Sequence, residues 1–463
     1  MTECSRRPLV FSSLNRRKMV ADFQGGDLTS DGGLPLLREV DRRIGLLDAL
    51  SAAIRDPRDP DRIEHDQRTL LAQRILAIAA GYEDLNDHAA LRTDTLFQAI
   101  TDRRLKSGQK ETDPLGSPPT LCRLENRVTR RDLVRMAAVL VDQFLASHPT
   151  PPEEIVLDFD ATNDPVHGGQ EGRFFHGYYD AYCFLPLYVF AGDQLLVAYL
   201  RPSNIDGAKH SRAILKLLVT RLRQTWPAVK IVFRGDSGFC RWRLLRWCDR
   251  HGVDYVVGLA RNAVLERQGQ ALMDEARGRY EATDEKQRLF AEFSYAADTW
   301  DRPRRVIAKA EFGPQGDNPR FVATSLAGDP ERLYDDLYCQ RGETENRIKE
   351  QQLGLFADRT SCHAFLANQF RVLLSAAAYV LVETLRREGL AGTELASAQV
   401  GTIRLKLLKI GGRIVRSVRR VVLHLASPFP LQELFRVVLA RLTARPASLD
   451  PLTQRRCQPT TGP

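Results

Sequence analysis

The segment IVLDFD, residues 155–160, is a run of apolar side chains that is interrupted and then ended by carboxylates. Short apolar runs rich in β-branched and aromatic residues are typical of a buried strand. Because side chains alternate along a strand, Asp158 and Asp160 project from one face and Phe159 from the other. The segment therefore predicts a strand that carries two acidic groups, with Asp160 nearest the end of the strand.

The segments that follow combine strands with helices. After the first strand we expect strands at 181–190 and 195–200, a helix at 211–224, and strands at 230–233 and 254–259. Strands that first form a meander and then alternate with helices predict a mixed α/β sheet.

The first 150 residues have a helical pattern instead. Ser30 and Asp31 are candidate N-caps, a helix is expected from Gln67 to Ala80, and two more helices follow Pro119 and Thr129. The PTPP stretch at 149–152 predicts a boundary before the sheet.

The composition favours a soluble protein with an anionic partner. Lys and Arg number 67 against 58 Asp and Glu, which gives a net charge of +9. Residues 404–420 hold seven basic side chains and no acid, which indicates phosphate contact or a solvated face. The eight cysteines form no Cys-x-x-Cys pair, and the N-terminus has no apolar signal core, so we expect a cytoplasmic location. The apolar segment 365–382 carries an arginine, and we predict a core helix without membrane contact.

Three acidic residues stand at positions where a fold can bring them together. Asp160 and Asp236 each end a predicted strand, and Glu345 lies on a predicted helix. Carboxylate oxygens are the ligands that Mg²⁺ prefers, and two ions about 3.5–4 Å apart can stabilise both reacting oxygens of a phosphodiester. Each residue alone also fits a turn, a cap or a solvated helix.

Three motifs together resemble the insertion-sequence DDE transposases. They are LDFDATNDPVHG (157–168), FRGDSGF (233–239) and YCQRGETENRIKE (338–350). The resemblance is closest to the group with a β-strand insertion before the Glu and a signature of Tyr, two residues, Arg, three residues, Glu, six residues, Lys. Tyr338, Arg341 and Glu345 match this spacing, whereas Gln352 stands at the Lys position. Lys349, one helical turn after Glu345, is the candidate replacement.

The resemblance implies an RNase-H-like mixed sheet with an inserted β subdomain, preceded by a helical N-terminal region. It implies Asp160, Asp236 and Glu345 as catalytic ligands of two Mg²⁺ ions, with Mn²⁺ as a substitute. The expected partners are double-stranded DNA, both terminal inverted repeats and target, and a second copy in a synaptic complex. The expected segments are a DNA-binding region (1–150), the catalytic domain (151–262 and 329–395), the inserted β subdomain (263–328) and a basic C-terminal region with a disordered tail (396–463).

Further residues are candidates for contact with DNA. Arg341, Glu345 and Lys349 are spaced to share one helix face, which favours a phosphate or a plain surface ion-pair ladder. Trp300 lies where related transposases carry a base-stacking Trp, although a half-buried core Trp is also compatible. The full set is Tyr338, Arg341, Lys349, Trp300, Arg404, Lys406, Arg416, Arg419 and Arg420.

Two other functions remain open at this point. A nuclease with the same site would cut DNA without joining it. A DNA-binding regulator would keep the fold without catalysis, although the acidic triad counts against it.

Overall fold

The computed structural model of this chain describes residues 8–103, 110 and 112–444. The predicted disordered tail from about residue 446 lies outside these residues. The strands in chain order are β1 (Leu9–Leu14), β2 (Arg17–Ala21), β3 (Leu28–Thr29), β4 (Glu154–Ala161), β5 (Asp164–Pro165), β6 (Phe174–His176), β7 (Ala181–Phe184), β8 (Leu187–Ala191), β9 (Gln194–Tyr199), β10 (Lys230–Gly235), β11 (Asp254–Leu259), β12 (Gln287–Tyr295), β13 (Arg304–Gly313), β14 (Gly316–Asp317), β15 (Arg320–Thr324), β16 (Gly412–Ser417) and β17 (Arg420–Leu425).

Helices surround these strands. They are α1 (Pro35–Ile44), α2 (Leu46–Ala53), α3 (Gln67–Ala80), α4 (His88–Leu91), α5 (Thr95–Ile100), α6 (Pro118–Arg127), α7 (Arg130–Ala146), α8 (Ser211–Thr225), α9 (Trp242–His251), α10 (Ala263–Thr283), α11 (Pro330–Arg332), α12 (Arg341–Lys349), α13 (Phe365–Thr384), α14 (Val400–Ile403) and α15 (Gln432–Thr443). Short 3-10 turns cover Pro60–Arg62 and Ser237–Phe239, and π-helical turns cover Leu333–Tyr338, Glu350–Gly354, Leu385–Gly389 and Arg404–Leu408.

A nine-stranded sheet contains the predicted first strand at its centre. The order across it is β12-β13-β15-β11-β10-β4-β8-β9, with β14 paired to β13. The strand β4 runs parallel to β10 and antiparallel to β8, and β10 runs parallel to β11. A meander of β4, β8 and β9, followed by parallel β10 and β11 on the other side, is the RNase-H-like arrangement. The predicted mixed α/β fold is confirmed.

The inserted segment extends this sheet. The strands β12, β13 and β15 lie within the expected β subdomain at 263–328. The strand β15 pairs antiparallel with β11, so the insertion continues the central sheet. The first part of the segment, read as β from the sequence, is instead the 21-residue helix α10. Its buried face includes Gly269 and Ala276, which give little hydrophobic signal, and this explains why the periodicity was missed.

The N-terminal helices follow the sequence pattern closely. The helix α3 has the predicted bounds and ends at Gly81, whose positive φ of 99° suits glycine. The helix α7 begins with a capping box between Thr129 and Asp132. The caps expected at Ser30 and Asp31 are absent, since α1 starts at Pro35 and Asp31 accepts a bond from Lys409 Nζ at 2.6 Å. The strands β1 to β3 were not predicted.

One hydrophobic core joins the N-terminal helices to the rest of the chain. The helix α13 packs against α3 and α7 and against β9 of the sheet. The stretch Phe365–Gly389 is long and apolar enough to span a membrane, but 83% of its most apolar window is buried inside the protein. The change near residue 150 is therefore a change of secondary structure within a continuous core.

The basic C-terminal segment is part helix and part hairpin. Gly411 and Gly412 divide this segment. The residues before these glycines form α14 and a π-helical turn, and the hairpin of β16 and β17 turns at Val418-Arg419. Leu407 is buried, and its carbonyl lies where a Cβ on Gly33 would stand. This close packing favours the helix over a strand.

Candidate active site

Asp160 and Asp236 lie side by side at the ends of neighbouring strands. In the parallel pair of β4 and β10, Phe159 is opposite Gly235. The residues that follow these two, Asp160 and Asp236, therefore lie at the same level of the sheet. The carboxylate of Asp236 accepts the backbone N–H of Gly238 at 2.8 Å and caps the short 3-10 turn. The carboxyl ends of parallel strands meet at one edge, which is where sites of α/β sheets open.

Glu345 reaches the same edge from the helix α12. Arg341 links it to the strand: Nη2 donates to Glu345 Oε1 at 2.7 Å, and Nη1 lies 3.4 Å from Asp160 Oδ2. The spacing of Arg341 and Glu345 by one helical turn permits this bridge. The structure therefore brings together the three carboxylates that the sequence singled out, with a guanidinium between two of them.

The carboxylates are close enough to affect one another. The pKa of Asp160 is raised to about 7, mainly by burial, with the charges of Asp236 and Glu345 contributing to the rise and Arg341 opposing it. A cluster of this kind repels itself unless cations compensate it. The clustered carboxylates therefore favour the binding of cations at this site.

Asp158 has a different environment from Asp160. It is 1% exposed and forms a two-pronged ion pair with Arg234, in which Nη2 lies 2.6 Å from Oδ2. Arg234 also donates to the carbonyl of Leu337, in the segment just before Arg341. Through Arg234, Asp158 thus fixes the segment that leads to α12.

Tyr338 forms a wall of the site. Its hydroxyl would lie 2.5 Å from a Cβ placed on Gly258, and the same Cβ would meet the backbone N of Ser237 at 2.9 Å. Burial raises the pKa of Tyr338, and the charge of Asp236 adds to this while Arg341 opposes it. Glycine at position 258 is therefore required for the close approach of β11 to the turn after Asp236.

The donor set fits divalent metal ions. Asp160, Asp236 and Glu345 offer hard carboxylate oxygens, and the raised pKa of Asp160 shows that its charge lacks full compensation. Within the part of the chain that the structure describes, no three His, Cys, Asp or Glu side chains are already arranged as a metal cage. The guanidinium of Arg341 stands between Asp160 and Glu345 and partly neutralises them.

Lys349 and Gln352, which both follow Glu345, have different environments. Lys349 is exposed, whereas Gln352 is half-buried and its Nε2 donates to the carbonyl of Asn163, in the loop after β4. Gln352 therefore ties the helical segment to the loop at the end of β4. The helical stretch ends at Gly354.

Trp300 is half-buried in the turn between β12 and β13. Its ring packs edge-on against Tyr295 at 5.5 Å, and the Arg304 guanidinium lies 5.3 Å from its centre. Arg304 is itself buried and paired with Asp249 and Asp301. Arg304 thus holds this turn, and base stacking by Trp300 stays a prediction.

The basic segment 404–420 divides into engaged and exposed side chains. Arg404 donates to the carbonyls of Ala79 and Gly354 and so closes the end of α3. Arg416 donates to the carbonyl of Thr95. These contacts give Arg404 and Arg416 structural positions, and we leave both out of the proposed DNA-binding set. The side chains that remain exposed are Lys406, Arg413, Arg419 and Arg420.

Sequence reasoning passed over one residue of the site. Tyr179 is half-buried in the turn between β6 and β7, and burial raises its pKa, with the charges of Asp160 and then Asp236 adding to the rise. The signal was available, because residues 173–184 read RFFHGYYDAYCF, a dense aromatic run.

This chain is similar to one protein family and to solved structures. No curated protein matches the sequence. One solved structure to which it is similar is the cryo-EM structure of the piggyBac transposase synaptic complex with hairpin DNA. The identity is 11%, the match covers 94% of this chain and 91% of that chain, and the TM-score is 0.43. Residues 11–447 match the family Transposase DDE domain group 1. Because this match covers nearly the whole chain, the protein belongs to the DDE transposase family.

Proposed function

We propose that this protein is the DNA transposase of an insertion sequence. It would cut DNA at the terminal inverted repeats of the element and transfer the freed 3′-hydroxyl into target DNA. The observation that supports this most is the convergence of Asp160, Asp236 and Glu345 at one sheet edge in a member of the DDE transposase family.

The three carboxylates would hold two Mg²⁺ ions, with Mn²⁺ as a substitute. Bound ions there supply Lewis-acid polarisation of the phosphodiester and of the attacking oxygen. Arg341 bridges Asp160 and Glu345 and orients both before DNA arrives. Its donors also suit a phosphate oxygen, since a guanidinium forks onto phosphate as it does onto carboxylate.

Double-stranded DNA is the proposed partner. The exposed cations of the C-terminal hairpin, together with Lys349 on α12, offer phosphate contacts on the surface, and the N-terminal helical region is a second candidate for DNA contact. A homodimer that holds two element ends in a synaptic complex is the proposed assembly. The proposed location is the cytoplasm, at the bacterial nucleoid.

Cleavage assays with neutral variants test the site. Asp236→Asn and Glu345→Gln should each reduce Mg²⁺-dependent cleavage to background, because an amide is a weak ligand and leaves the metal charge uncompensated. DNA binding should survive in both. The matched control is Glu343→Gln, an exposed residue two positions away on the same helix. Wild-type cleavage rates in the Asp236 or Glu345 variant would show that the metal ligands are elsewhere.

A strand-transfer assay separates the transposase from a simple nuclease. The substrate is a pre-cut element end with a free 3′-hydroxyl, taken from the DNA that flanks the gene, together with a supercoiled target. The transposase joins the two, and Glu345→Gln does not. Cleavage without joining under all conditions would favour the nuclease, and neither activity would favour a DNA-binding regulator.

A further inference from the structure

A short hairpin beside the active site exposes an unusual number of aromatic rings. We call residues 173–183, which contain β6 and β7, the aromatic hairpin. Phe175 and Tyr182 face each other across the two strands, and about half of each residue is exposed. Tyr178 in the turn is 85% exposed. Large apolar side chains in such density on a surface indicate a binding site.

The outer face of the aromatic hairpin is built for stacking. The rings of Phe175 and Tyr182 are 5.6 Å apart at an angle of 70°, and the Arg173 guanidinium lies 4.5 Å from the centre of the Tyr182 ring. Alternation along the strand places Arg173 and Phe175 on the same face. Among the described residues, no other aromatic ring packs against Phe175 or Tyr182. Two rings and a planar cation are thus presented together to solvent.

The position of the aromatic hairpin ties it to the carboxylates. The strand β5 begins three residues after β4 ends and pairs with β7, which anchors the hairpin next to the end of the catalytic strand. The turn residue Tyr179 feels the charges of Asp160 and Asp236 and packs on His176 at 4.9 Å. The inner end of the hairpin is therefore at the active site, and the outer face leads away from it.

We propose that the aromatic hairpin binds unpaired bases of the DNA strand that leaves the active site, by stacking them on Phe175, Tyr182 and Tyr178. This rests on the proposed function, because it assigns a place to one part of the same substrate. Every base has a π-face, so aromatic rings bind single strands with little sequence preference, and Arg173 adds a cation for the backbone or a base. Unpaired DNA fits better than a protein surface, since the rings flank a site that would hold a phosphate.

Binding to two matched DNA probes tests the proposal. The probes are a blunt duplex of about 20 base pairs and the same duplex with a 3′ overhang of about six thymidines. Full-length protein is titrated in EDTA at a fixed salt concentration, so that no cutting occurs. Wild type should bind the overhang probe more tightly. In Phe175→Leu/Tyr182→Leu, which keeps apolar side chains without rings, this preference should fall at least about fivefold.

Three further variants make the result specific. Tyr182→Phe keeps the ring and should keep the preference. Tyr199→Leu removes a ring that is 37% exposed at the end of β9, outside the residues proposed to contact DNA, and should also keep it. Tyr178→Ala alters only a well-exposed turn residue and should lower the preference even if the leucine variant fails to fold.

The outcomes separate this proposal from the proposed function. Equal binding of both probes by wild type, or an unchanged preference in the leucine and Tyr178 variants, would overturn the stacking role while DNA cleavage still stands. A leucine variant that changes from dimer to monomer with its preference intact would mark a protein interface and also overturn it. A preference for the overhang probe in a protein that never cuts DNA would support the stacking role of the aromatic hairpin and contradict the proposed transposase function. Binding of neither probe would overturn both.

Discussion

Asp158→Ala should destabilise the protein far more than the loss of a surface ion pair would. Asp158 and Arg234 are 1% and 7% exposed, and they form a two-pronged pair between the parallel strands β4 and β10. Removal of the carboxylate leaves the Arg234 guanidinium buried without its counter-charge. The expected cost is about 3–5 kcal/mol of unfolding free energy.

A solvent-exposed pair of the same chemistry provides the control. Arg221 Nη2 lies 2.8 Å from Asp142 Oδ1, and both side chains are about half exposed. Asp142→Ala should therefore cost only about 0.2–1 kcal/mol. Urea unfolding of wild type and both variants gives the comparison. If Asp158→Ala costs no more than Asp142→Ala, the buried pair does not hold the strands as argued.

The same variant separates the two acidic residues of β4 by function. Asp160→Ala should abolish cleavage, because it removes a proposed metal ligand. Asp158→Ala should retain cleavage at a reduced rate wherever it is folded, since Arg234 contacts Leu337 and only positions the segment before Glu345. A folded Asp158→Ala without activity, beside an Asp160→Ala that still cuts, would move the metal ligand two residues upstream.

Three more expectations concern charge. Three exposed cations of the C-terminal hairpin can be changed to glutamine: Arg413, Arg419 and Arg420. The slope of log affinity for DNA against log salt concentration, measured by anisotropy, should then flatten by up to about 0.9 per lost phosphate contact. An unchanged slope would show that these side chains do not contact DNA phosphates. Lys349→Gln should flatten the slope by about 0.9, whereas Gln352→Ala should not, and the reverse result would refute our assignment. Burial raises the pKa of Glu383 from 4.5 to about 7, so the folded state holds a proton that the unfolded state releases between these values. Wild-type stability should therefore fall as pH rises through this range, and Glu383→Gln should remove about 3 kcal/mol of that fall in urea unfolding.

Local patterns predicted much of the fold because short-range physics decides those elements. The cap at Asp66 and the glycine at position 81 define α3, and the Thr129 capping box starts α7. The apolar run at 155–160 defines the central strand in the same way. The helix α10 was not predicted, because its buried face includes small residues that give no clear amphipathic pattern.

The sequence by itself determined which carboxylates are candidates for the site, since strand ends and the Tyr-Arg-Glu spacing are written in local order. Only the tertiary structure decided which charges are free for DNA. Arg404 and Lys409 lie in the same basic segment as Arg419 and Arg420, yet the first two are engaged by α3 and by Asp31. Composition cannot separate them, because the Ala79 carbonyl that engages Arg404 and the Asp31 carboxylate that engages Lys409 come from residues more than 300 positions away.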